Sequence, residues 1–153
     1  MKNDMRDIMQ LCDVVRETAY AIHVYHGHGH LEKVYENALA HRLKKLGIQV
    51  QQQHPLTVYD EDGTVIGEYL ADLYVDNRLI VELKAARAYA EEHVAQILGY
   101  LRSSRCEHGL LINFGSTKFE IKKYVFSDKK PALGSQAISL LAAFFASFAF
   151  FRG

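Results

Sequence analysis

The sequence predicts an α/β (α+β) domain in which a mixed sheet is flanked by helices, in the order α-α-β-β-β-α-β-β. Three observations predict it. Two stretches with apolar residues at helical spacing open the chain. Three segments of strand character, punctuated by turn residues, follow them. A third helical stretch then leads into an almost wholly apolar run of the kind that fills a buried strand. At 153 residues, 49% hydrophobic and 24% charged, the chain suits one domain with a real core and is not a disordered one.

The first helix is expected over Asp4–Val24, with Ile8, Leu11, Cys12, Val15, Ala19 and Ile22 as its buried stripe. Gly27 and Gly29 break the pattern. A second helix, about Leu31–Leu46, then carries Leu31, Val34/Tyr35, Ala38, Leu39, Leu43 and Leu46, and Gly47 ends it. Strands are expected at Ile48–Tyr59 (interrupted at His54-Pro55), Val65–Val75 and Leu79–Leu83, with Asp60-Glu-Asp-Gly63 turning the first into the second. A third helix spans about Tyr89–Arg105 and packs Ala90, Val94, Ile97/Leu98 and Leu101 on the sheet. Leu110–Phe114 is the buried strand, and Thr117–Phe126 adds an edge strand with Phe119, Ile121 and Val125 inward.

Residues 1–130 form the expected domain, and 131–153 an apolar C-terminal extension. Ala137–Phe151 is fifteen residues without a charge. As a helix it would span ~22 Å, short of the ~30 Å hydrocarbon core. Ser139, Ala143 and Ser147 line one side at four-residue spacing, with phenylalanines around the rest. Packing of this helix on the domain or on a twin chain, as in a homodimer, comes first in order; a membrane-associated tail is second and a poorly ordered extension third.

Cys12 and Cys106 lie far apart without metal-ligand spacing, and Met1–Gln10 is charged with no apolar targeting core; both point to reduced thiols in a cytoplasmic protein. Histidines His23, His26, His28 and His30 crowd around Gly27 and Gly29 without a recognised zinc-ligand pattern. Eighteen basic and eighteen acidic residues leave no basic surplus of the sort non-specific nucleic-acid binders carry. Local basic patches remain at His41–Lys45, at Arg102 and Arg105, and at Lys118, Lys122 and Lys123 with Lys129-Lys130.

The most informative stretch is Asp72–Lys84. In Leu79–Lys84 alternation puts Ile80, Glu82 and Lys84 on one face and Leu79, Val81 and Leu83 on the other. If Asp76-Asn77-Arg78 is a three-residue hairpin loop, Val75 pairs with Leu79 and Asp72 falls opposite Glu82; a two-residue loop would set Asp72 against Leu83. Two carboxylates on neighbouring strands make the hard-oxygen site that Mg²⁺ or Mn²⁺ uses, and a lysine beside them steadies a hydroxide or a phosphate. Two other groupings bear on it. Glu32 sits in the first turn of the second helix, three residues before Tyr35, where the helix dipole favours an anion. Gln96 and Tyr100 are four apart on one face of the third helix, with His93 a turn earlier.

Gly29-x-x-Glu32-x-x-Tyr35 resembles the signature of the GxxExxY family of the PD-(D/E)XK nuclease superfamily. Asp72, Glu82 and Lys84 match the superfamily's Asp…Glu-x-Lys, and Gln96-x-x-x-Tyr100 is similar to the Gln-x-x-x-Tyr motif of its RecB-type branch. Gly109–Gly115 resembles the family's closing strand, and the likeness runs from about Asp7 to Phe126. Each motif alone is common; four in this order are specific. Ala71 stands where the superfamily usually has a proline. The resemblance implies a restriction-endonuclease-like αβββαβ core. It also implies a nuclease that hydrolyses phosphodiesters, with DNA as the expected partner. Asp72 and Glu82 would hold Mg²⁺ or Mn²⁺, Glu32 would reach a second ion, Lys84 would orient water and offset charge, and Gln96 and Tyr100 would support the site from outside. The alternative is a catalytically silent nuclease-fold binding or assembly module, favoured by the neutral charge and the apolar tail, which would also allow membrane association.

Overall fold

The computed structural model describes residues 6–127. The expected apolar extension and the Lys129-Lys130 pair lie outside them. The described elements are α1 (Ile8–His26), α2 (Glu32–Lys45), β1 (Val50–Tyr59), β2 (Val65–Val75), β3 (Leu79–Lys84), α3 (Glu91–Ser104), β4 (His108–Asn113) and β5 (Glu120–Val125). The strands form one mixed sheet in the order β1-β2-β3-β4-β5. Neighbours are antiparallel except β3 and β4, which run parallel and are joined through α3.

Helix α1 starts where Asp7 caps it: the Asp7 carboxylate accepts from the Gln10 N–H while the Gln10 side chain accepts from the Asp7 N–H. Its stripe Leu11, Cys12, Val15, Ala19 and Ile22 is buried with Tyr35, Leu39 and Leu43 of α2 against one face of the sheet, formed by Leu73, Val75, Leu79, Val81, Leu83, Leu110 and Ile112. The opposite face, with Ala71, Ile80, Leu111 and Tyr124, is covered by Ile97, Tyr100 and Leu101 of α3. Strands β3 and β4 are therefore buried on both sides, which accounts for their near-continuous apolar sequence. Each fully buried Leu or Ile contributes ~1.5–3 kcal/mol through removal of apolar surface from water. Gly109 lets α3 come this close, since a Cβ there would stand 3.0 Å from Ile97 Cδ1.

Three expectations need correction. Strand β1 is not interrupted at His54-Pro55, which pair with Ala71 and Leu70. An edge strand tolerates a missing N–H on its open side, and β1 is such an edge. The irregularity falls one residue earlier, at Gln53, whose backbone is left-handed with φ 50°. On β5 the large buried side chains are Ile121 and Tyr124, on opposite faces, and Val125 is only half-buried. Leu31 and Leu46, read as part of the α2 stripe, flank the helix ends and are 80% and 53% exposed.

Candidate active site

The β2–β3 hairpin turns through Asp76 and Asn77, both left-handed at φ 50° and 54°, and the Arg78 N–H closes on the Val75 carbonyl at 3.1 Å. Short polar side chains accept this conformation at least cost. The loop is three residues long, so Val75 pairs with Leu79, Tyr74 with Ile80 and Leu73 with Val81. There the ladder stops. The next two residues, Asp72 and Glu82, replace it with side-chain bonds. The Asp72 N–H donates to Glu82 Oε1 at 3.0 Å, and the Leu83 N–H donates to Asp72 Oδ2 at 2.8 Å. Each acid thus occupies a backbone donor beside the other, and the hairpin presents two carboxylates where a ladder would otherwise continue.

Glu82 is 2% exposed. Burial, and then the negative charge of Asp72, push its carboxyl up to about 9, against a smaller opposing pull from the Asp72 N–H and the Lys84 ammonium. Two acids so placed cannot both ionise without a positive charge between them. A hard divalent cation is what an all-oxygen donor pair of this kind accepts, so the donor chemistry fits Mg²⁺ or Mn²⁺. Among the described residues no three His, Cys, Asp or Glu side chains are already gathered as a complete cage. Asp72 and Glu82 form the tight pair; Glu32, at the start of α2, is not gathered with them and bears on the site through its charge.

Glu32 is the first residue of α2, whose N-cap Leu31 offers no side-chain acceptor, so the helix end presents its positive dipole unblocked. Burial raises the Glu32 carboxyl; Lys84 draws it down and Asp72 raises it, which places all three in one electrostatic neighbourhood. The approach of α2 is held by Tyr35, whose hydroxyl donates to the Gly27 carbonyl at 2.7 Å and accepts from the His30 N–H at 3.2 Å. Its ring stacks on Phe114 at 4.5 Å between centroids. Tyr35 therefore clamps the α1–α2 loop, in which Gly29 takes φ 112°, a conformation L-residues rarely adopt.

Lys84 ends β3 beside Asn113 of β4. Its carbonyl accepts from the Phe114 N–H at 2.8 Å. The chain beyond it is pinned by Asn113, which accepts from the Ala86 N–H (3.1 Å) and the Gly115 N–H (3.0 Å) and donates to the Ala86 carbonyl (2.8 Å). No side chain fits at Gly115: a Cβ would lie 2.3 Å from the Ala86 nitrogen. On α3 the Gln96 amide donates to the Tyr100 hydroxyl at 2.8 Å. Burial first, and then the charge of Glu82, raise the Tyr100 phenol, with a smaller contribution from Asp72. The Tyr100 ring leans on Tyr69 at 5.0 Å. Gln96 bonds to Tyr100 rather than to a carboxylate. His93 is occupied as a helix cap, its Nδ1 accepting from the Ala90 N–H at 3.2 Å.

Sequence reasoning missed two residues. Glu36 is an acid only 3% exposed, accepting from Lys33 Nζ (2.8 Å), Gln52 (3.0 Å) and Gln53 (2.9 Å). Gln53 also reaches Asp72 Oδ1 at 3.4 Å. The available signal for Glu36 was its place four residues after Glu32, hence on the same helix face. Nothing in the local sequence marks Gln53.

A mixed five-stranded sheet with two helices on one face and one on the other, and paired acids where its hairpin splays, has the architecture of the restriction-endonuclease-like folds. The chain belongs to the PD-(D/E)XK nuclease superfamily, whose family profile matches residues 9–124. Among solved structures it is similar to the crystal structure of SSO0001, with a TM-score of 0.50 at 18% identity, a likeness of fold alone. The superposition covers 60% of this chain and 48% of that one, so the chain spans about half the length of that protein. No curated protein matches the sequence.

Proposed function

We propose that this protein is a metal-dependent nuclease that hydrolyses phosphodiester bonds, with DNA as its substrate. The observation that carries the reading is the reciprocal Asp72–Glu82 pair, two acids that each accept a backbone N–H beside the other, with Glu82 buried and its carboxyl pushed up by burial and by the charge of Asp72. Asp72 and Glu82 would hold Mg²⁺ or Mn²⁺, with Glu32 contributing from α2; an ion there supplies Lewis acidity to a phosphate oxygen and acidifies water. Lys84, two residues beyond the second acid, would donate hydrogen bonds that orient the attacking water and a non-bridging phosphate oxygen, offsetting charge as it builds. Glu82 must give up its proton for the site to load. Gln96 engages the lone pair of the Tyr100 hydroxyl, which leaves the phenolic O–H to donate toward the acids or a substrate phosphate. The Gly29, Glu32 and Tyr35 set and the Gln96/Tyr100 pair support placement in the GxxExxY group with a RecB-type helix motif, because each has a distinct mechanical part around these acids.

The test is incubation of the purified protein with single- and double-stranded DNA and with RNA, in Mg²⁺ and in Mn²⁺. DNA cleavage by wild type, lost in Lys84→Ala and in Asp72→Asn with unfolding temperatures within a few degrees of wild type, is the expected result. A wild-type protein that binds neither ion and cuts none of the substrates would overturn the reading.

A further inference from the structure

We propose that Gln53 is a positioning residue for this site: its carboxamide, turned out of its strand by a left-handed backbone, ties the buried Glu36 of α2 to Asp72 and holds the Asp72 carboxylate in place. The inference rests on the nuclease reading of Asp72.

In a regular strand Gln52 and Gln53 would point to opposite faces of the sheet. Here both reach the same carboxylate on α2: Gln52 donates to Glu36 Oε1 at 3.0 Å and Gln53 to Glu36 Oε2 at 2.9 Å. The alternation is broken by the backbone of Gln53 itself, at φ 50°. Strand pairing passes from Gln52↔Leu73 to His54↔Ala71 and skips Gln53 and Asp72, the residue that would have been its partner. A left-handed non-glycine residue costs ~1–2 kcal/mol and persists when surrounding contacts over-determine it. The contacts that do so here are the two made by its amide.

Their chemistry fixes which way the amide faces. An ionised carboxylate only accepts, so the NH2 end of Gln53 must face Glu36, and that nitrogen carries two protons. One meets Glu36 at 2.9 Å; the other lies toward Asp72 Oδ1 at the longer distance of 3.4 Å. Glu36 is in turn held by Gln52 and Lys33, and Gln52 also donates to Asn37 Oδ1 at 2.8 Å. The amide is therefore anchored on α2 and leans on Asp72. Asp72 receives the Leu83 N–H on Oδ2 and the Gln53 amide on Oδ1, donors on both oxygens that set the plane of the carboxylate before an ion arrives. The same chain of bonds couples α2, and Glu32 on it, to the hairpin.

Gln53→Gly separates this role from a structural one, because glycine relaxes the left-handed backbone while deleting the amide. Expected are an unfolding temperature within a few degrees of wild type, the relaxed backbone offsetting the lost bond to Glu36, with Mn²⁺ affinity by calorimetry lowered ~10- to 100-fold and kcat lowered by a similar factor while KM for a labelled oligonucleotide changes little. Gln53→Asn accepts the same backbone but is one methylene too short to span both acids, and should follow Gln53→Gly. Wild-type ion affinity and kcat in Gln53→Gly would overturn the inference and leave the nuclease reading standing. A fall in unfolding temperature that accounts for the lost activity would also overturn it, since Gln53 would then be holding the fold. Absence of ion binding and cleavage in wild type itself would remove the nuclease reading and this inference together.

Discussion

Loading of the site with a divalent ion should release a proton, and Glu82 is the group that loses it. Its carboxyl stands at about 9, so at pH 7 it is two pH units below its midpoint and carries its proton in ~99% of molecules. An ion needs the carboxylate, so at pH 7 binding must first spend ~3 kcal/mol on ionising Glu82, a loss of ~100-fold in apparent affinity. Each unit of rising pH below about 9 should then recover close to a factor of ~10. The assay is calorimetric Mg²⁺ titration between pH 6 and pH 8 in two buffers of different ionisation enthalpy, from which protons released per ion follow directly. About one proton per ion at pH 7 is expected. In Glu82→Gln the neutral acid becomes a neutral amide that still accepts the Asp72 N–H, so the ion-free fold should be retained while ion binding is lost at every pH. The ion-free stability should also respond to pH. Because the folded value of Glu82 lies above its ordinary 4.5, the folded state holds the extra proton between those two values. Stability therefore falls as pH rises through that window, and Glu82→Gln should flatten the slope. An affinity that does not change with pH, with no proton released, would refute the reasoning, since Glu82 would then be ionised in the free protein.

Three further substitutions probe the scaffold. Tyr35→Phe leaves the Gly27 carbonyl without its donor and the His30 N–H without its acceptor, and should cost ~1–3 kcal/mol, read as a lower midpoint in urea. Gly115→Ala drives a methyl into Ala86 and Ala85; a loss of ~1–3 kcal/mol is expected, with kcat falling further than stability because the displaced segment follows Lys84. Tyr100→Phe keeps the ring against Tyr69 but deletes the partner of Gln96, and should lower cleavage ~10-fold while the unfolding temperature stays within a few degrees of wild type.

Much of the architecture was legible because periodicity reports burial. The α1 stripe could be read directly, and so could the register that sets Asp72 opposite Glu82, since Asp76 and Asn77 suit a left-handed turn. Failures came where tertiary context overrides local pattern. His54-Pro55 read as a break, yet nothing in a single sequence says which strand will be an edge. Alternation predicts Val125 inward, but β5 is partly covered on both faces, and the aromatic Tyr124 takes the buried place on the α3 side. Glu36 and Gln53 were hidden for a related reason. A buried glutamate needs several donors; Lys33 on the same helix supplies one, but the other two come from a strand sixteen and seventeen residues away. The left-handed backbone that delivers one of them is chosen by that contact, not by the intrinsic preference of glutamine.

The account depends on Asp72 and Glu82 sharing one ion, and anomalous diffraction from crystals grown in Mn²⁺ tests that most directly. The predicted result is a peak within direct ligation distance of both carboxylates in wild type and its loss in Glu82→Ala. A wild-type map with no peak between these two side chains, or with manganese held only elsewhere on the molecule, would contradict the account.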